Sequence, residues 1–405
     1  MSNATAANSN EQRIMELETP LISSSNNPGT NQKKIHHLSL RSTTNLEHLV
    51  TSTTSLSSEL STCQRLVVVC PGCEPDWSLP SVTDLFVALS KLPELEEVKL
   101  NCVGLLDVAF PVHLLTRILL APNLGILELD DIALSANGTE DFEDLSDAIR
   151  QHETLQEFRL FGCLAGEAVE SQQSLDPLLK AVSTLKLVEI DAVDDGLLGG
   201  IQGETLRVMG HSSSLQKLHL NGFSLNNNCV ESLSESIANN TSLEDVSFDL
   251  YCGAPGKGAF SLCDALRFNQ HLLRLHISIS HDWNQDAFLM AMADSLKTNC
   301  TLKSLIVGAI SVISDNAAKA FAEMLLQNTV MELLQLSRYK GDWKPTLHYY
   351  LKLNSQGRGH FLQHCEEIPR KEWVEVLAKS GGDLDVNFYF LQLNPLLCST
   401  AAMAM

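Results

Sequence analysis

The chain has 405 residues, 44% of them hydrophobic, with 28 basic against 49 acidic side chains and a formal net charge of −21. That acidity opposes a nucleic-acid backbone or an anionic membrane surface as partner and favours a basic protein partner, or simply solubility. No charged start followed by an apolar run resembles a signal peptide, and no uncharged apolar stretch reaches the ~18 residues a bilayer requires. The eleven cysteines are an odd number without small-domain spacing. They read as reduced, mostly buried thiols, and a cytoplasmic chain, with a nuclear one as the alternative, is expected. The Asn-x-Ser/Thr sites at Asn3, Asn137, Asn240 and Asn299 then carry no glycosylation meaning.

In chain order, residues 1–33 are rich in Ser, Asn, Thr and Gly and are expected to be a disordered tail. From 34 to 340 one pattern recurs, with apolar residues at positions 1, 4 and 6 of a short segment. Ile35 and Cys63 begin weak members, and Leu95, Leu124, Leu155, Leu185, Leu215, Leu243, Leu272, Leu302 and Met331 begin clear ones, at intervals of 28 to 32 residues. Positions 4 and 6 alternate as a strand does.

Between these segments lie helical patterns. "CVESLSESIANN" (229–240) spaces Val230, Leu233 and Ile237 for one helix face, and "SDNAAKAFAEMLLQN" (314–328) adds a capping Ser/Asp start. Asn240, Asn269, Asn299 and Asn328 recur just before the next strand, and the left-handed conformation that ends helices is the backbone explanation expected. Strand, loop, helix, loop in about 29 residues cannot bury its own apolar face, so units stack. The expected fold is α/β: a right-handed solenoid, or horseshoe, of about 10–11 repeats, with parallel strands on the concave face and helices on the convex one.

The unit "LQKLHLNGFSLNNNCVESLSESIANNTSL" (215–243) resembles the leucine-rich repeat of the ribonuclease-inhibitor type, and the resemblance covers roughly 35–340. Phe223 departs from the Asn or Cys usual at position 9. After 340 the period stops. Residues 341–405 read as a helical cap and short tail, with Trp343, Tyr350, Leu353, Phe361, Trp373, Leu377, Phe388 and Leu391 as buried anchors. The arrangement "LNxxGR … EWVxVL … DLDxxFYFLxxNPxLC" also resembles a terminal segment of ribonuclease-inhibitor-like proteins of single-celled algae, which implies no chemistry.

Catalytic signals are weak. "CGAPGKGAF" (252–260) lacks the P-loop spacing and fits a helix start in the repeat frame. Cys70 and Cys73, with Cys102 one strand over, lack an evident fourth metal ligand; buried thiols are expected, with a metal or redox role as the alternatives. His360 and His364, beside Cys365, are expected to be packing and surface residues. No catalytic residue, cofactor or metal is expected, and the chain is not expected to be an enzyme.

Positions 5 and 7 of each strand face away from the core. Asp130, Asp191 and Asp249 share position 7 near Asp131, Asp194, Asp195 and Asp282, and Phe161, Phe223, Tyr251 and Trp283 interleave with them. Glu128, Arg159, Glu189, His219 and His276 occupy position 5. Carboxylates around aromatics suit a protein interface, the aromatics supplying burial and the acids steering. The expectation is a scaffold, a monomer, that binds a partner protein through these residues. A GTPase-activating or inhibitor-type regulator of a basic enzyme, acting by surface occlusion, is the alternative; the former class carries a long acidic tail that the closing "STAAMAM" does not supply.

Overall fold

The computed structural model describes residues 35–39, 63–69, 80–101, 109–135, 139–163, 176–192, 201–250, 256–279, 285–309, 312–337, 342–364 and 366–398. The described residues fall into two compact units, divided between residues 199 and 200. The expected tail at 1–33 lies outside the described residues.

The first unit holds the parallel strands β1 (Ile35–Ser39), β2 (Arg65–Val69), β3 (Glu97–Asn101), β5 (Ile126–Asp130), β7 (Glu157–Cys163) and β8 (Leu187–Ala192), paired in that order. Helices α1 (Pro80–Leu89), α2 (Val112–Ile118), α3 (Thr139–Gln151) and α4 (Asp176–Val182) alternate with them. A small parallel pair, β4 (Ala109–Pro111) and β6 (Ala133–Ser135), lies outside the main sheet.

The second unit repeats the plan. It runs α5 (Gly203–Gly210), β9 (Lys217–Leu225), α6 (Asn227–Asn239), β10 (Asp245–Leu250), α7 (Lys257–Phe268), β11 (Arg274–Ile279), α8 (Asp286–Leu296), β12 (Ser304–Ala309), α9 (Asp315–Gln327) and β13 (Leu333–Leu336). Strands β9 to β13 pair in sequence, all parallel. Four helices follow: α10 (Lys344–Ser355), α11 (Arg358–His364), α12 (Arg370–Lys379) and α13 (Leu384–Leu393). The expected α/β class, with parallel strands alternating with helices, is what both units show.

Burial follows the period. Leu127, Leu129, Val188, Ile190, Leu218, Leu220, Leu275 and Ile277, at positions 4 and 6, are all at most 1% exposed. The first apolar residue of each clear segment, Leu95 through Met331, is buried as well. One strand departs from the expected register. Ile35 pairs with Arg65, not with Cys63, so β1 sits two residues further along than the apolar pattern suggests. A shift by two keeps every side chain on its own face, so the alternation could not detect it.

The turns from helix to strand are held by side chains. Asn269 Nδ2 donates to the carbonyls of Ile237 and Asn240 at 2.6 and 3.2 Å, and its Oδ1 accepts from the amides of His271 and Leu272 at 2.8 and 2.7 Å. Asn240, Asn299 and Asn328 make the equivalent bonds. The left-handed expectation is therefore corrected: φ is −73° at Asn240, −68° at Asn269 and −74° at Asn328, with extended ψ. Asparagine recurs there because its amide both donates to the previous turn and accepts from the next strand.

Three more residues occupy the same place, three before the first apolar residue or its equivalent, which the asparagine count missed. Ser212 Oγ accepts from Ser214 N and Leu215 N at 3.2 and 3.1 Å. His152 does so in the first unit, with Nε2 3.0 Å from Ala121 O and Nδ1 3.0 Å from Leu155 N. Arg358 stands 30 residues after Asn328. Its Nη2 donates to Leu325 O at 2.7 Å and Asn328 O at 3.0 Å. Arginine has only donors, so it fits the place after which no strand follows.

The cap encloses Leu353, Phe361, Trp373, Val376, Val386 and Phe390, with Phe361 and Trp373 edge to face at 4.5 Å. Of the expected anchors, Leu353, Phe361 and Trp373 are buried, whereas Trp343, Tyr350, Leu377 and Leu391 are half-buried. Phe388 is corrected: it is 62% exposed, because Val386 and Phe390 on the same helix take the inward face.

Candidate protein-binding face

Helices cover one face of the strands in each unit; no described helix covers the other face, which carries positions 3, 5 and 7. In the first unit the parallel register sets Lys99 beside Glu128, Glu128 beside Arg159, and Arg159 beside Glu189. Strands ~4.8 Å apart bring such side chains into contact. Lys99 Nζ lies 2.6 Å from Glu128 Oε1 and 3.0 Å from Asp130 Oδ2, and Arg159 reaches Glu128 Oε2 at 3.4 Å and Glu157 Oε2 at 2.6 Å. Burial alone would lower the pKa of Lys99. The hydrogen bonds it donates to Glu128 and Asp130, with their negative charge, outweigh that and hold the ammonium above its ordinary value. Glu128 is only 7% exposed, locked between two cations.

The next row reads Asn101, Asp130, Phe161, Asp191 across adjacent strands. Asn101 Nδ2 donates to Asp130 at 2.9 Å. Phe161 is half-buried between two aspartates, and Asp191 is exposed. Asp131 has another task. Its φ is +54°, and its amide donates to Phe161 O at 2.9 Å, so it shapes the strand exit.

In the second unit Asp245 Oδ1 lies 3.1 Å from His219 Nε2, and its Oδ2 accepts from Arg274 Nε at 2.7 Å. Burial would raise the pKa of Asp245, and these two partners more than offset that, so its carboxyl is held below the usual range. Ser247 lies between His219 and His276 in the register. Its hydroxyl donates to Asn221 Oδ1 at 2.7 Å and is 3.3 Å from His276 Nδ1. Asp245, Ser247, Arg274 and Lys99 were absent from the candidates; their signal was position 3, or the strand neighbouring a candidate.

Two expectations change in this unit. Phe223 is 5% exposed and belongs to the core. Gly222, at φ +75°, forms a bulge that turns the strand out of phase after Asn221, so Phe223 points inward. Asp249 is half-buried, and its Oδ2 accepts from Gly222 N at 2.6 Å, which holds that bulge. Tyr251, Trp283, Asp194, Asp195 and Asp282 lie outside the described residues. At the last strand, a groove of about 830 Å³ is lined by Leu333, Leu334, Leu336, Leu347 and Leu351 among others.

No family model matches the chain, and no curated protein matches it in sequence. Among solved structures it is similar to the actin-binding site 2 (ABS2) of leiomodin-1, at 17% identity over 40% of this chain and 92% of that one, with a TM-score of 0.33. It is also similar to the C-terminal domain of tropomodulin from Caenorhabditis elegans, at 15% identity over 40% and 98%, with a TM-score of 0.31. At these TM-scores the likeness bears on neither the fold nor the partner of this chain.

The described residues contain no group of three or more His, Cys, Asp or Glu side chains able to hold a metal, and no helix long and apolar enough to cross a membrane. His360 pairs with Glu372 at 3.4 Å and His364 with Glu367 at 3.7 Å. Cys263 is buried, and burial, reinforced by Asp264, pushes its thiol up to about 12, far from a reactive thiolate. Cys70, Cys73, Cys102 and Cys365 lie outside the described residues. The "GKGAF" stretch opens α7, and a methyl at Gly258 would overlap the Asn227 carbonyl of α6, so close helix packing explains that glycine.

Proposed function

We propose that the chain is a non-catalytic leucine-rich-repeat scaffold of the ribonuclease-inhibitor type that binds a partner protein on its open strand faces. Repeats of 28 to 32 residues, with a helix opposite each strand in the described stretches, support that type. The observation that carries the binding role is the register of the first unit. It brings Lys99, Glu128, Arg159, Asp130, Phe161 and Asp191 into two contiguous rows on a face that no described helix covers. Rows of ordered charged and aromatic side chains, from nearly buried Glu128 to exposed Asp191, offer orientation-specific contacts, and the −21 net charge favours a basic partner surface.

Affinity capture with the intact chain tests this, set against a variant carrying Glu189→Lys and Asp191→Lys. Asp249 and Asp130 are left alone because each holds neighbouring structure. A protein captured by the natural chain and lost from the folded variant supports the site. Capture unchanged by the variant, or turnover of a substrate by the purified chain, refutes it.

A further inference from the structure

Four of the turns into strands rest on an asparagine, and one rests on His152. Its Nδ1 lies 3.0 Å from Leu155 N and 3.3 Å from Thr154 N. Backbone N–H groups only donate, so Nδ1 is the bare nitrogen. Nε2 then carries the proton and donates to Ala121 O at 3.0 Å. The neutral ring thus reproduces both halves of an asparagine amide in one tautomer alone. Among the described residues of this ladder it is the one that changes charge between about pH 5 and 8.

We propose that His152 is a pH-operated latch on the entry to β7: protonating Nδ1 turns an acceptor into a donor facing two N–H groups, and the turn at 152–156 opens. The ring is half-buried, its pKa lowered by that burial, with the Ala121 carbonyl acting the other way. Charged and titratable side chains on the elements packed around it include His113 and Arg117 on α2, Asp147 and Arg150 in the last turns of α3 with Glu140, Asp141, Glu143 and Asp144 in its first turns, Glu153 on its own turn, and buried Asp176 with Lys180 on α4. Arg150 is taken by Asp147 at 2.8 Å. Among the described residues the ring's polar contacts are backbone groups and Thr154 Oγ1 at 3.5 Å, and no described carboxylate is hydrogen-bonded to it.

The sign follows from linkage. The folded pKa lies below the unfolded value of about 6.5, so the latch is fully closed above that pH. Below it the opening equilibrium rises by up to about tenfold per pH unit until the folded pKa is passed. Strand β7 carries Arg159 and Phe161, so an open latch would loosen the proposed binding face; that consequence rests on the function proposed above, while the latch itself does not.

Hydrogen exchange of the full chain, corrected for intrinsic rates, is compared between about pH 7 and about pH 5 for the natural protein and His152→Asn. The expected result is a loss of protection over 152–160 in the natural chain on acidification, of at most about tenfold per pH unit below about 6.5, none in His152→Asn, and none at the asparagine-held turns at 240 and 269 in either. Equal loss in both proteins, or none in the natural one, overturns the proposal. If His152→Asn does not fold, the ring is titrated by NMR in the natural chain. Protonation accompanied by shifts of the β7 amides supports the latch, and protonation without them, or a ring still neutral at about pH 5, overturns it.

Discussion

Replacing Asn269 by glycine separates two explanations of the recurring asparagines. If the residue served a left-handed turn, glycine would be neutral or better, since it adopts that conformation without strain. The observed φ of −68° and ψ of 133° remove that need. What glycine deletes is a side chain 3% exposed that donates to Ile237 O and Asn240 O and accepts from His271 N and Leu272 N. Each such bond contributes about 1 kcal/mol net, and a buried group left unpaired costs about 1–3 kcal/mol, so the substitution should cost roughly 3–5 kcal/mol. Glycine adds up to about 1 kcal/mol of backbone entropy. Because two units need not unfold together, native-state hydrogen exchange of the β10 and β11 amides is the suitable assay, rather than a single global melt. A loss below about 1 kcal/mol would refute the ladder as a source of stability. Asn269→Asp gives a second reading: its carboxylate faces two carbonyl oxygens at neutral pH, so it should be worse than glycine at pH 7 and recover on acidification as the carboxyl protonates.

Arg358→Ala strips three carbonyls at the end of α9 of their buried donor and should cost about 2–4 kcal/mol, read as faster exchange at α9 and in the cap while the first unit is unchanged. Phe223→Ala should destabilise the second unit by roughly 3–5 kcal/mol in urea unfolding, whereas an interface residue would leave the midpoint alone. Asp245 has a folded pKa below its unfolded value of about 3.9, so its contribution is present above that pH and lost as pH falls through the folded pKa. Asp245→Asn should therefore flatten the loss of stability between about pH 5 and pH 3, and a variant as acid-sensitive as the natural chain would contradict the pairing with His219 and Arg274.

The repeat was legible because burial has a period. Leu, Val, Ile and Phe at positions 4 and 6 are interchangeable to the core, and within each unit their spacing alone sets the strands side by side with the helices against one face. What stayed hidden was anything to which that period is blind. The two-residue offset of β1 preserves every face, so nothing in Ile35, Leu38 and Leu40 betrays it. The bulge at Gly222 reverses the phase within one strand, and the same alternation then assigned Phe223 outward. His152, Ser212 and Arg358 share the asparagine position without sharing its residue type, and only the geometry of donor and acceptor unites them.

The proposed binding face shows the same division, and it bears on how binding there would work. The sequence placed Glu128, Asp130 and Arg159 outward but read them as groups waiting for a partner, because contacts between strands are 29 to 31 residues apart in the chain. In the fold Lys99 satisfies both Glu128 and Asp130, and Arg159 holds Glu128 and Glu157. Displacing such pairs gives a partner little, since a buried pair roughly breaks even against its desolvation. Their work is then to hold the face flat and hydrated in one arrangement. Net affinity has to come from half-buried Phe161 and from the outer carboxylates around it, with the long-range field of an acidic chain setting the rate of encounter. It follows that raising the salt concentration should slow association more than it speeds dissociation.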